Sequence, residues 1–89
     1  MKIREGFTIR QIGDDNIVVA LGKAAEQFRG IIRLNETGAF LFKKIQSGVD
    51  TEDALCKALT DEYDVDAETA ARDVDSYVSR LQQAGVIDA

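Results

Sequence analysis

Ile31-Ile32-Arg33-Leu34-Asn35-Glu36-Thr37-Gly38 is where the sequence changes its period. Up to Leu34 the pattern is that of a strand, with side chains alternating between two faces. On one side fall Phe28, Ile32 and Leu34; on the other fall Arg29, Ile31 and Arg33. The first set carries no charge and is assigned to the core. From Asn35 the apolar residues recur at helical spacing. Asn35 is a good N-cap, and Glu36 stands in the first turn, where the helix dipole favours an anion. The helix then runs through Phe40, Leu41, Phe42 and Ile45 to a Gly48 stop. That apolar arc is too broad for one face, so either Phe40 or Phe42 reaches the boundary.

Upstream of this junction the chain reads as strands. Phe7 to Ile12 and Asn16 to Leu21 flank Gly13-Asp14-Asp15-Asn16, a cluster that tolerates turn dihedrals, and so predict a hairpin. Arg29 to Leu34 is a third strand. Gly22 to Gln27 is polar and expected as loop, with one helical turn as the alternative. Downstream, Thr51 caps a second helix whose apolar face is Leu55, Ala58, Leu59 and Tyr63. Asp66 caps a third, with a stripe of Ala67, Ala70, Ala71, Val74, Tyr77, Val78 and Leu81. Gly85 ends it, and Val86-Ile87 folds back on the last turn, as in a glycine C-cap. The expected fold class is α+β: a small three-stranded antiparallel sheet followed by a three-helix bundle, a winged-helix-like βββααα order. The 89 residues leave room for one core only, so residues 1–89 are read as a single domain.

The composition, 45% hydrophobic and 30% charged, is that of a folded globular chain rather than a disordered one. With no histidine and one cysteine, no Ser-His or Cys-His nucleophile, His- or Cys-rich zinc site or internal disulfide can be built. No cofactor, metal or catalytic residue is expected, and the cysteine usage fits a reducing cytoplasm. No apolar run approaches the ~18 residues of a membrane span, and residues 1–6 lack the apolar stretch of a signal peptide. The net charge of −5 argues against nucleic acid. Charge is also split along the chain: residues 1–49 carry net +3 and residues 50–89 net −8.

The remaining chemistry-bearing residues have bland readings. Asp14-Asp15 belongs to a turn. Asp61, Glu62, Asp64 and Asp66 read as caps and solvated surface, and no glycine follows Asp66 to complete a calcium loop. Cys56 has no base to activate it and reads as a half-buried thiol. An acyl carrier would present serine at the start of a helix, whereas Asp75-Ser76-Tyr77 lies mid-helix. A winged-helix transcription regulator is the alternative function. Its groove-entering helix would be one of the last two, and each would meet phosphates with like charge.

The join Ile31 to Gly38 takes on a further meaning with the elements that follow it. Leu34-Asn35-Glu36-Thr37-Gly38, the Gly48-x-x-Thr51 junction, Leu59 with Tyr63, Asp73-Val74 and Leu81 through Ile87 together resemble the PqqD family. These are peptide chaperones of pyrroloquinoline quinone (PQQ) biosynthesis and related RiPP recognition elements. The resemblance implies a non-catalytic domain that binds the leader of a ribosomally made precursor peptide by β-strand addition. It implies presentation of that peptide to a modifying enzyme such as a radical SAM protein. The groove would lie between the third strand and the third helix, with Arg29, Ile31, Ile32, Arg33, Leu34, Asp73, Tyr77 and Arg80 as the peptide-binding residues. For Tyr77 core packing is the competing role. Alternate strand residues direct their backbone groups to a given edge, and the sequence leaves open which set faces outward. An exposed edge also allows self-pairing, so a monomer or weak dimer is expected.

Overall fold

The computed structural model describes residues 1–28 and 31–88, apart from the side chain of Gln27. Two strands, β1 (Phe7–Ile12) and β2 (Asp15–Ala20), form an antiparallel hairpin. Only Gly13 and Asp14 lie between them, so β2 begins one residue earlier than its pattern suggested. Gly13 has φ 62° and among the described residues no non-glycine residue has a positive φ, which makes the turn type II′. This turn matches the twist of the strands it joins.

The segment expected as loop contains a five-residue helix, α1 (Lys23–Gln27). Lys, Ala, Glu and Gln are all good helix formers. Phe28 donates its N–H to the Ala24 carbonyl at 2.9 Å and closes the turn. The chain then enters β3 (Ile32–Leu34), shorter than the expected 29–34; Arg29 lies outside the described residues. Strand order is β1-β2-β3, all antiparallel, with Asn16 opposite Leu34, Ile17 opposite Arg33 and Val18 opposite Ile32. Three helices follow: α2 (Glu36–Gln46), α3 (Glu52–Glu62) and α4 (Ala67–Gln83). The α+β class, the three-stranded antiparallel sheet and the three C-terminal helices are therefore as expected, with α1 inserted before the third strand.

All three N-caps named from the sequence form. The Gly38 N–H donates to Asn35 Oδ1 at 2.7 Å, Ala54 N–H to Thr51 Oγ1 at 3.1 Å, and Thr69 N–H to Asp66 Oδ1 at 2.7 Å. Helices α2 and α4 end in the same way. Val49 donates to the Lys44 carbonyl and Gly48 to that of Ile45; Val86 donates to Leu81 and Gly85 to Gln82. These are the paired bonds of the Schellman motif. The second of them turns Val86 and Ile87 inward, where both are buried. There the two ends of the chain meet. Ile3 and Ile87 form a β-bridge, Arg4 N–H donates to the Val86 carbonyl, and Lys2 N–H donates to Asp88 Oδ1.

One apolar cluster joins sheet and helices: Val18 and Leu34 from the sheet, Leu41, Phe42 and Ile45 from α2, Leu55 and Leu59 from α3, and Ala70, Val74, Val78 and Leu81 from α4. Phe42 is fully buried and Phe40 is the boundary residue, its ring set edge-on to Tyr63 at 5.4 Å. The α4 stripe is narrower than expected. Ala67 and Ala71 are exposed, because a stripe 100° wide spans fewer helix positions than the alanines suggested. Ala58 is only half-buried. On β2 both faces are covered. Val18 faces the helices, and Ile17, 9% exposed, faces away from them with Arg10 and Arg33 as its cross-strand partners. Long side chains at such cross-strand positions cover apolar surface with their aliphatic stems. Among the described residues no helix is long and apolar enough to cross a membrane.

Two measurements test this account. Phe42→Ala should lower stability by about 3–5 kcal/mol in urea denaturation, as expected for a buried aromatic. Asp66 is held below its ordinary value of 3.8, chiefly by the Thr69 N–H it accepts. A depressed carboxylate stabilises the fold above its unfolded pKa, and that contribution is lost as pH falls through the folded one. Asp66→Asn keeps a capping acceptor without the charge, so its urea midpoint should fall less than the wild type's on acidification below pH 3.8.

Candidate functional site

The two-residue turn settles which backbone groups face out. In such a hairpin the closing pair, Ile12 and Asp15, exchanges hydrogen bonds, and alternate pairs along the ladder do the same. Asp15, Ile17 and Val19 therefore point their N–H and C=O groups toward β1, and Asn16 and Val18 point theirs toward β3. The Leu21 N–H to Gly6 carbonyl bond, 2.7 Å, continues this alternation beyond the strands. Across the next interface Leu34 and Ile32 bond to Asn16 and Val18. Arg33 then directs its N–H and C=O to the open edge.

Helix α4 stands beside that edge. Arg80 Nη2 donates to the Arg33 carbonyl at 3.2 Å, and the Tyr77 hydroxyl donates to the Gly38 carbonyl at 2.8 Å. Gly38 is buried in the first turn of α2. A Cβ there would stand 3.2 Å from Asn35 Oδ1 and 3.3 Å from Leu34 Cβ, tighter than ordinary contacts, and would just touch Tyr77 Cε1 at 3.4 Å, so the bare position suits the close meeting of β3, α2 and α4. The result is a groove of about 570 Å³. Leu34, Gly38, Leu41 and Tyr77 supply its apolar lining. Arg33, Asn35, Thr37, Asp73, Ser76 and Arg80 supply its polar lining.

Five of the eight residues expected at the site thus line one groove: Arg33, Leu34, Asp73, Tyr77 and Arg80. Ile32 is half-buried against the core on the side of Val18, and its backbone serves the sheet. Ile31 is 69% exposed beside the groove rather than in its lining. Arg29 lies outside the described residues. The groove adds Asn35, Thr37, Gly38, Leu41 and Ser76. Ser76 was legible, since 73, 76, 77 and 80 share one helix face. The α2 residues carried no such signal. A larger cleft of about 680 Å³ lies between residues 2–7, α1 and the Ala84-Gly85 turn. Of the sheet it touches just Phe7, the first residue of the other edge strand β1, so volume alone does not select the site.

Tyr77 is both packing residue and groove lining. Burial pushes its phenol well above the ordinary value of 10.0, with Arg80 pulling weakly the other way. A raised phenol stabilises the fold fully below its unfolded pKa, and the contribution is lost as pH rises past 10. Tyr77→Phe should cost about 0.5–1.5 kcal/mol at neutral pH, the net worth of one hydrogen bond. It should also lose less stability than wild type in urea titrations carried from neutral to alkaline pH.

Comparison with curated protein sequences gives no match. Two solved structures share the fold. One, described as TbiB1 in complex with the TbiA(beta) leader peptide, aligns with TM-score 0.79 at 20% identity over 100% of this chain and 96% of that one. The other, a lasso peptide synthetase B1 complexed with the leader peptide, aligns with TM-score 0.73 at 21% identity over 94% of this chain and 92% of that one. The family profile described as Coenzyme PQQ synthesis protein D (PqqD) matches residues 17–87, which include most of β2, all of β3 and helices α1 to α4. By that match this chain belongs to the PqqD family.

Proposed function

We propose that residues 1–89 act as one non-catalytic recognition domain, which takes the leader of a ribosomally made precursor peptide as an added strand beside β3 and presents it to a modifying enzyme, such as a radical SAM protein. The observation that carries this reading is the outward N–H and C=O of Arg33, at an open sheet edge with an apolar groove beside it. A peptide strand laid there gains main-chain bonds from β3, while its alternate side chains enter the groove against α4. Family membership supports the same role, as does the fold shared with two proteins whose structures hold leader peptides. Leu34, Leu41 and Tyr77 read the apolar side chains of the leader; Arg33, Asp73 and Arg80 read its charges. Ile31, exposed at the end of the edge, extends the contact. In this reading the protein works in the cytoplasm without a cofactor or metal of its own, as a monomer or weak dimer.

The transcription-regulator alternative gains no support from these comparisons. Helix α3 carries Glu52, Asp53, Asp61 and Glu62 against Lys57, and would meet a phosphate backbone with like charge.

The test uses the leader of any short precursor peptide found to be encoded beside this protein's gene. Its addition should shift the amide resonances of β3 and α4 and leave those of α3 unchanged. Shifts confined to α3 or to the Gly13 turn would defeat the reading. Two prolines separate edge from sheet. Arg33→Pro deletes an outward N–H and should weaken leader binding about tenfold with the fold retained, Arg33→Ala serving as side-chain control. Ile32→Pro deletes a bond to Val18 and should lower stability by about 1–3 kcal/mol, since it leaves an acceptor without its donor.

A further inference from the structure

Arg33 and Arg80 hold the same point of the β3 edge from its two faces. The Arg33 side chain is exposed on the outer face of the sheet, opposite in direction to buried Leu34. Arg80 reaches the edge from the helix side and donates Nη2 to the carbonyl of Arg33 itself. That bond fixes the guanidinium at the groove and leaves its other N–H groups to be satisfied. Among the described residues neither arginine has a carboxylate within ion-pair distance. The Lys57–Asp61 contact, 3.5 Å, is the single ion pair among the described residues. On α4 the positions three and four away from Arg80 are Ser76, Tyr77, Gln83 and Ala84, none of them acidic. The cross-strand partner of Arg33 is Ile17. Asp73, the acidic group of the groove, lies two helical turns from Arg80, about 10 Å. Tyr77, which bonds Gly38, lies between the two along the helix.

A strand added to this edge meets the two arginines in succession. The peptide residue that bonds Arg33 projects its side chain on the outer face, beside the Arg33 side chain. The adjacent peptide residue projects toward α4, beside Arg80, because successive side chains alternate. We propose that the edge selects a leader bearing two consecutive acidic residues, one read by Arg33 from the outer face and its neighbour by Arg80 from the groove. This rests on strand addition at β3, and narrows it to a class of peptide.

The probes are short fluorescein-labelled peptides of alternating Thr and Val, with Glu-Glu, Glu-Gln, Gln-Glu, Gln-Gln or Lys-Lys at the centre. Fluorescence anisotropy gives affinity, and amide shifts of Ile32–Leu34 report where each peptide sits. Glu-Glu should bind at least about tenfold more tightly than Gln-Gln, the range of one good charge-assisted bond, and the advantage should shrink with added salt. Arg33→Gln should erase the benefit of one glutamate and Arg80→Gln that of its neighbour. Equal affinity of Glu-Glu and Gln-Gln, with β3 shifts present, overturns the acidic selection and leaves strand addition standing. Loss of the same glutamate's benefit in both variants overturns the two-faced arrangement. Absence of β3 shifts with all five peptides overturns strand addition at this edge, and the selection with it.

Discussion

Everything at the groove depends on how α4 packs against the β3–α2 junction, and Gly38 is where strand, helix start and α4 meet. Its N–H is taken by the Asn35 cap, its carbonyl by the Tyr77 hydroxyl, and its bare Cα faces Leu34 and the Tyr77 ring. Strand, helix start and distant helix are thereby tied through one residue. A side chain there would crowd the Asn35 cap and Leu34 first and would come into contact with the Tyr77 ring, one turn before Arg80 on the same helix face. The groove is thus a product of the packing that holds the core together, with Tyr77 belonging to both.

The second constraint acts from the far side of the sheet. The Gly13-Asp14 turn decides which residues of β2 bond to β1, and so which bond to β3, and so which β3 groups remain free. A turn longer by one residue would reverse the alternation and present Ile32 and Leu34 to the edge, with their side chains turned out of the core. A glycine with φ 62° in a hairpin two strands away therefore sets the orientation of the Arg33 backbone.

Much of this could be read in the sequence because it is local. The three N-caps at Asn35, Thr51 and Asp66, the glycine stops and the inward turn of Val86-Ile87 each depend on a few adjacent residues. The groove-facing residues of α4 share a helix face, which made Asp73, Tyr77 and Arg80 visible together. What stayed hidden depends on distant partners. Helix α1 is too short to be stable alone and relies on close packing at Gly6, where a Cβ would stand 2.7 Å from Ala24 Cβ. The edge orientation was hidden because Gly13 to Asn16 all suit a turn, which leaves its length, and hence the alternation, undetermined. Thr37, Gly38 and Leu41 became site residues only through the side on which α4 packs. Ala67 and Ala71 misled because alanine suits a buried and an exposed helix position alike.

The pairing of the chain's two ends carries a consequence for architecture. Ile3 bridges Ile87, and Lys2 and Arg4 bond to Asp88 and Val86, so the polypeptide enters and leaves the fold side by side. A unit closed in this way can be spliced into a surface loop of a larger protein, or circularly permuted through a short linker, without pulling β3 from α4.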